Sequence, residues 1–368
     1  MPDKIRLGLI GASVKGTWSA RSHLPALKAS GDIELTAVCT TKPDSAEAAR
    51  QAHGARLAFH DYNEMVASPE IDAVAVVVRV PSHYTPTKAA LEAGKHVYCE
   101  WPLGRTTDEA IELTALAKAN GLTTAIGLQA HTNPPLMYLK ELLADGYVGE
   151  MKGVHISLAR AGVLARPSHR TWQRDADLGA NTLTIANGHT IDALRFAACD
   201  FERLSAVIAT QVPQWLDTGT KELLDVTAPD NILINGQLTN GAVVSSHVSS
   251  VPYAGSGYRM EIYGTEGTIV ASGKDSPQQT DVSLQGAQGD NTLAPITVPD
   301  RFYIATEGTP PGEAYNVGQI YALFANAING GDSKQPDFET AVGLHHFIDA
   351  ITQASEERRE VSLTGQGG

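Results

Sequence analysis

The first residues whose types and spacing suggest chemistry lie near the start of the chain, in Gly8-Leu9-Ile10-Gly11-Ala12-Ser13-Val14-Lys15-Gly16. This is a G-x-G-x-x-G pattern with Ser13 in place of the second glycine. In that pattern Gly11 makes the tight turn, a small residue lets the backbone meet a pyrophosphate, and Gly16 lets the following helix pack close. Serine is small enough, and its hydroxyl could donate to a phosphate oxygen. The alternative is a purely structural strand-to-helix turn. A second run, Cys39-Thr40-Thr41-Lys42, carries no acid where an NAD-specific fold places one for the ribose 2′-OH. Hydroxyls beside a lysine suit a 2′-phosphate, so the expected cofactor is NADP in preference to NAD; otherwise Lys42 is only a solvated loop residue.

Elements of a definite kind must position these turns. Residues 5–10 form an apolar strand, a helical segment follows to Ala29, and Ile33–Cys39 is a second apolar run, which makes a β-α-β unit with a parallel strand pair. The alternation continues through helix Ser45–Ala52, a doubly buried strand Asp72–Val78, helix Thr87–Glu92, strand His96–Cys99, helix Thr107–Ala119 and strand Thr123–Leu128. Beyond that point strand-like runs joined by Asn-Gly and Gly-rich turns predict an antiparallel sheet with helices on one face. Residues 272–312 read as a long surface excursion, and Val317–Ile328 and Phe338–Glu356 as closing helices. The predicted class is α/β. A Rossmann dinucleotide-binding domain spans 1–127, and a C-terminal α/β domain with a large, mostly antiparallel open sheet spans 128–368, its last helices packing back on the first domain.

The whole chain sets bounds on function. A length of 368 residues suits two domains, and 42% hydrophobic with 19% charged residues is a globular composition. No run approaches the ~20 apolar residues of a membrane helix, so no membrane partner is expected. A net charge of −13 without clustered Lys and Arg repels phosphate backbones, so no nucleic-acid partner is expected either. Cys39, Cys99 and Cys199 are widely spaced and read as reduced core residues. No metal site is expected from them, and with no export signal at the N-terminus the expected location is cytoplasmic.

Further motifs stand in register with the first domain: Val80-Pro81-Ser82-His83-Tyr84, Leu91-Glu92-Ala93-Gly94-Lys95-His96-Val97 and Cys99-Glu100-Trp101-Pro102-Leu103. Together with Gly188-His189-Thr190-Ile191-Asp192 and Ile262-Tyr263-Gly264-Thr265-Glu266-Gly267, they resemble the glucose-fructose oxidoreductase, inositol dehydrogenase and MocA family over nearly the whole chain. Ser82-His83-Tyr84, Glu100-Trp101, Leu128-Gln129 and Gly188–Asp192 are most similar to the branch that contains the fungal galactose-regulon repressor. The resemblance implies cofactor contacts from Pro81, His83, Glu100, Trp101, Pro102 and Gln129, beside those of Gly11, Ser13, Gly16, Thr40, Thr41 and Lys42. It also implies a small-molecule substrate, a sugar, polyol or related cyclic compound, and a homodimer or homotetramer joined through the C-terminal sheet.

The sequence departs from the family pattern at two positions. Family enzymes typically carry Glu-Lys-Pro where this chain has Glu100-Trp101-Pro102, and an Asp four residues before the catalytic His, where this chain has Ile185. His189 remains as a candidate acid/base, since a histidine can move a proton at neutral pH, with Asp192 one helical turn on either to orient it or simply to cap a neighbour. The alternative is a structural histidine on a helix. In the loop Arg166–Asp175, His169 and Trp172 are candidate substrate residues, with Trp101 and His189; Trp172 could stack on a sugar ring or simply anchor an exposed loop. Three readings compete: an NAD(P)-dependent oxidoreductase, a non-catalytic dinucleotide-binding regulator, and a dinucleotide-assisted hydrolase or lyase. The oxidoreductase is the leading one.

Overall fold

The structure, a computed structural model, describes residues 4–14, 17–279 and 281–363. The chain divides into two compact units, one of Met1–Thr132 with Tyr303–His345, the other of Asn133–Phe302 with His346–Gly368.

The first unit is built on a six-stranded parallel sheet of β1 (Ile5–Ile10), β2 (Ile33–Cys39), β3 (Leu57–Phe59), β4 (Ala73–Val76), β5 (His96–Cys99) and β6 (Thr124–Ile126), in the order β3-β2-β1-β4-β5-β6. Helices α1 (Leu24–Ala29), α2 (Pro43–His53), α3 (Tyr62–Val66), α4 (Tyr84–Glu92) and α5 (Thr107–Ala119) make the connections, and α8 (Glu313–Ile328) packs on α1. β4 reads Ala-Val-Ala-Val and is buried throughout, as a central strand covered on both faces requires. The strand order reverses between β1 and β4. In open α/β sheets the crevice at that reversal, outside the carboxyl ends of the strands, is where ligands bind.

The second unit holds α6 (Pro134–Ala144), α7 (Gly188–Ala197) and two sheets. Its nine-stranded sheet contains β7 (Met151–Ala161), β9 (Phe201–Ala209), β12 (Asn231–Leu238), β13 (Val243–Val251), β14 (Gly257–Gly264), β15 (Gly267–Gly273), β16 (Ser283–Gln288), β17 (Ala294–Pro295) and β18 (Val361–Ser362). All its pairings are antiparallel except β7 with β13. A small three-stranded sheet is formed by β8 (Ala165–Arg166), β10 (Gln214–Asp217) and β11 (Leu223–Asp225). The last helix, α9 (Phe338–Glu357), contributes residues to both units.

An N-terminal parallel Rossmann sheet and a larger, mostly antiparallel sheet after it agree with the predicted class. The differences lie in detail. β3 and α3 are additional elements, and the stretch expected as a surface excursion contains β16, which pairs in register with β15. Helical backbone after the first turn opens as a π-helical turn over Ser19–His23, and another such turn, Thr182–Asn187, leads directly into α7.

Candidate functional site

The residues expected to hold a dinucleotide follow the carboxyl ends of parallel strands, so topology gathers them on one edge of the first sheet. Gly11 follows β1, Thr40 follows β2, Pro81 and His83 lie just beyond β4, Glu100 follows β5, and Gln129 lies just beyond β6. Gly11 adopts φ +95°, and a Cβ there would overlap the Val77 carbonyl at the end of β4. Only glycine combines that conformation with so close an approach. The turn is closed by Gly11 N–H donating to Cys39 O at 2.9 Å and by Ser19 Oγ donating to Gly11 O at 2.8 Å. Ser13 is half-buried beside it, and Gly16 lies outside the described residues.

At the end of β2, Thr40 Oγ1 lies 2.6 Å from Ser45 Oγ. Thr41 and Lys42 are exposed, with Lys42 at the N-cap of α2. A helix N-terminus with an adjacent cation and hydroxyls is suited to a phosphate group.

Other expected contacts are engaged within the protein. His83 is 1% exposed; its Nδ1 lies 2.6 Å from Pro102 O and its Nε2 3.1 Å from Val78 O. Both ring nitrogens thus face backbone carbonyls, and the neutral ring, with one N–H, donates to one of them, tying the Trp101-Pro102 segment or the end of β4 to the imidazole. Burial lowers its pKa more than the two carbonyls raise it. Trp101, expected against substrate, is 4% exposed, and its ring lies tilted against His345 of α9 with centroids 4.8 Å apart. That packing fixes the indole on its His345 side. Pro81 is half-buried and Pro102 buried.

Glu100 belongs to a polar network that the sequence reading missed. Its Oε1 is 2.8 Å from His23 Nε2, and Gln129 Nε2 donates to the two carboxylate oxygens at 3.1 and 3.3 Å. His23 Nδ1 in turn lies 2.7 Å from the Tyr321 hydroxyl of α8. Burial and the nearby Glu100 charge push both Tyr98 and Tyr321 well above the ordinary phenol range. A Cβ on Gly127 would come within 2.6 Å of the Glu100 carboxyl, so glycine is needed there. Gln129 is fully buried and its Oε1 has no hydrogen-bond partner among the described residues. No local pattern reveals this network, because His23 and Tyr321 are 298 positions apart.

In the second unit, His189 and Asp192 lie on α7 at i and i+3 and are 4% and 3% exposed. An Asn181–Thr184 capping box opens the π-helical turn before them, and that turn packs on β12 and β13. Asn187, which ends it, is fully buried with neither side-chain amide atom hydrogen-bonded among the described residues. His169 is exposed and Trp172 half-buried in the helical turn Ser168–Arg174. Among the described residues no His, Cys, Asp and Glu side chains converge as a metal site requires, and no helix is long and apolar enough to cross a membrane.

These features define an α/β protein with a parallel Rossmann-type sheet, and residues 5–128 match the NAD-binding Rossmann fold of the Gfo/Idh/MocA oxidoreductase family. Residues 134–273 match the C-terminal domain of Gal80p. Among its relatives is an uncharacterized oxidoreductase of Synechocystis sp., 28% identical over 93% of this chain and 92% of that one. The galactose/lactose metabolism regulatory protein GAL80 of Kluyveromyces lactis is 30% identical over 65% of this chain, an alignment that spans 56% of the regulator. The structure of levoglucosan dehydrogenase in complex with NADH and levoglucosan shares the fold, with a TM-score of 0.84 and 21% identity over 98% of this chain and 100% of that one.

Proposed function

We propose that this chain is an NAD(P)-dependent oxidoreductase of a sugar-like or other hydroxylated or carbonyl cyclic substrate, with His189 as its acid/base. The observation that carries the reading is the Gly11 turn at the strand-order reversal, where φ +95° and the approach of Val77 O exclude any side chain, as the tight turn of a pyrophosphate-binding loop requires. Gly11, Ser13 and the residues around Lys42 would hold the cofactor. When bound, its nicotinamide exchanges a hydride with a substrate carbon. The chain's part is to move the accompanying proton, and a buried imidazole with Asp192 one helical turn along is suited to receive or return it at the substrate oxygen. Exposed Thr41 and Lys42, with no acid at the β2 end, support a preference for NADP over NAD. The uncovered face of the nine-stranded sheet supports a homodimer or homotetramer.

One observation favours a second reading, a dinucleotide-binding regulator. Trp101 stands where family enzymes typically carry lysine, and it is buried against His345. The test is turnover across a panel of sugars, polyols and cyclic carbonyls in both directions. An oxidoreductase should show it, and His189→Asn should lower it by ~10² to 10⁴-fold while dinucleotide affinity is kept. Absence of turnover on the whole panel, with His189→Asn altering only stability, transfers the evidence to the regulator.

A further inference from the structure

We propose that Arg166, on the small sheet of the second unit, is an oxyanion-binding residue that takes the carboxylate or phosphate of a small ligand. The guanidinium is tethered on one side and is only half engaged. Its Nη1 donates to Ala165 O at 3.0 Å and to Gly162 O, and its Cζ lies 4.6 Å from the Trp215 ring centroid. Trp215 is itself fixed, 5% exposed in a small core with Val226 and Ala228. Gly162 adopts φ +98°, a turn that presents its carbonyl to the arginine.

Nη1 has two hydrogens, and two carbonyls accept them. The Nε and Nη2 edge has no acceptor among the described residues and is not sealed from solvent. That edge is the fork whose parallel N–H groups match the two oxygens of a carboxylate or phosphate.

The charges around it leave the fork uncompensated. Arg166 has no carboxylate partner among the described residues, and Arg170 and Arg160 lie close enough to repel it. Arg160 pairs with Asp275 at 2.6 Å. Asp217, opposite Arg166 across the β8–β10 pair, directs its Oδ1 instead to Ser168 Oγ at 2.6 Å and to the Gly219 and Thr220 N–H groups at 2.8 and 3.2 Å. Desolvation first, then the two arginines, brings the Arg166 pKa down to about 10, so it stays cationic at neutral pH. A half-buried arginine without a counter-ion, in a chain of net charge −13, is a local exception that an arriving oxyanion would relieve.

Taken with the proposed function, and resting on it for this step alone, an Arg166 fork facing the substrate would select a sugar acid or a sugar phosphate over a neutral sugar. The experiment is calorimetric titration of the full chain at neutral pH and constant ionic strength, set with chloride, using inorganic phosphate, D-glucuronate and D-glucose. Phosphate or glucuronate should bind and glucose should not, and the better of the two anions names the source. Arg166→Lys should weaken that anion ~10-fold by removing the fork. Should Arg166→Lys fold poorly, Arg170→Gln, at an exposed position, should weaken it ~3-fold through the lost field. Anion binding that survives both changes, or no binding beyond chloride, overturns the site. Turnover of neutral sugars without anion binding sinks this inference and leaves the oxidoreductase standing. Anion binding that responds to these substitutions in a chain with no turnover does the reverse.

Discussion

A single glycine decides what the β1 turn can be. Alanine at Gly11 would face both the left-handed backbone region and the Val77 carbonyl, two costs that together come to ~1–3 kcal/mol or more. Gly11→Ala should therefore lower the melting temperature by several degrees and weaken dinucleotide binding at least ~10-fold; unchanged calorimetric affinity would remove the turn from the cofactor site. Lys42 poses a second question at this scale. NADP should bind more tightly than NAD, and Lys42→Ala should erode the difference by ~2- to 5-fold, in keeping with loss of one exposed charge contact to a phosphate. Equal affinities in the unaltered chain would remove the preference. Gly11 was legible in the sequence because a glycine's requirement is local. His23 and Arg166 were not, since what makes each notable is supplied by residues elsewhere in the chain, Glu100 and Tyr321 for one and Trp215 for the other.

The strands of the first sheet were legible as apolar runs of parallel-sheet length. β3 was not, because its three half-buried residues, Leu57–Phe59, carry too little pattern. The small sheet escaped for a similar reason: β8 and β11 have two and three residues, and one of its two pairings is parallel between segments far apart in the chain. An element also sets the pH response. His83 lies between the end of β4 and the segment after β5, and burial lowers its pKa when folded; His96, on β5, is lowered in the same direction. The unfolded chain takes up protons at these histidines below about pH 6.5, whereas the folded one does so only at lower pH. Stability is thus full above that value and falls as pH drops through it, by at most ~1.4 kcal/mol per pH unit for each histidine. His83→Gln should lower the melting temperature at pH 7.5 yet flatten its decline between pH 6.5 and 5.5. An identical decline in both proteins would mean that His83 is not buried neutral.

The assembly of whole molecules follows from the two faces of the nine-stranded sheet. Helical segments pack on one face, through α7 on β7 and the turn before it on β12 and β13. The other face leaves Val207 58%, Leu233 39%, Val243 65% and Tyr263 38% exposed, with Val207 directly opposite Leu233. Arg259 and Glu261 on the same face pair with each other at 2.7 Å, so little net charge opposes burial there. Exposed apolar side chains among uncharged polar ones on a broad sheet suit an interface, and a sheet face matched to itself by a two-fold axis is the simplest way to cover it. Light scattering should therefore find a dimer or tetramer, and Val207→Lys combined with Val243→Lys should yield monomers with the melting temperature of each fold unit little changed apart from the lost association. Each chain carries −13, so joining copies brings like charges together. Association should accordingly strengthen as salt rises from ~10 mM to ~150 mM, where the screening length falls from ~30 to ~8 Å. A monomer at both salt concentrations at micromolar protein would show that the uncovered face serves something other than a second copy of this chain.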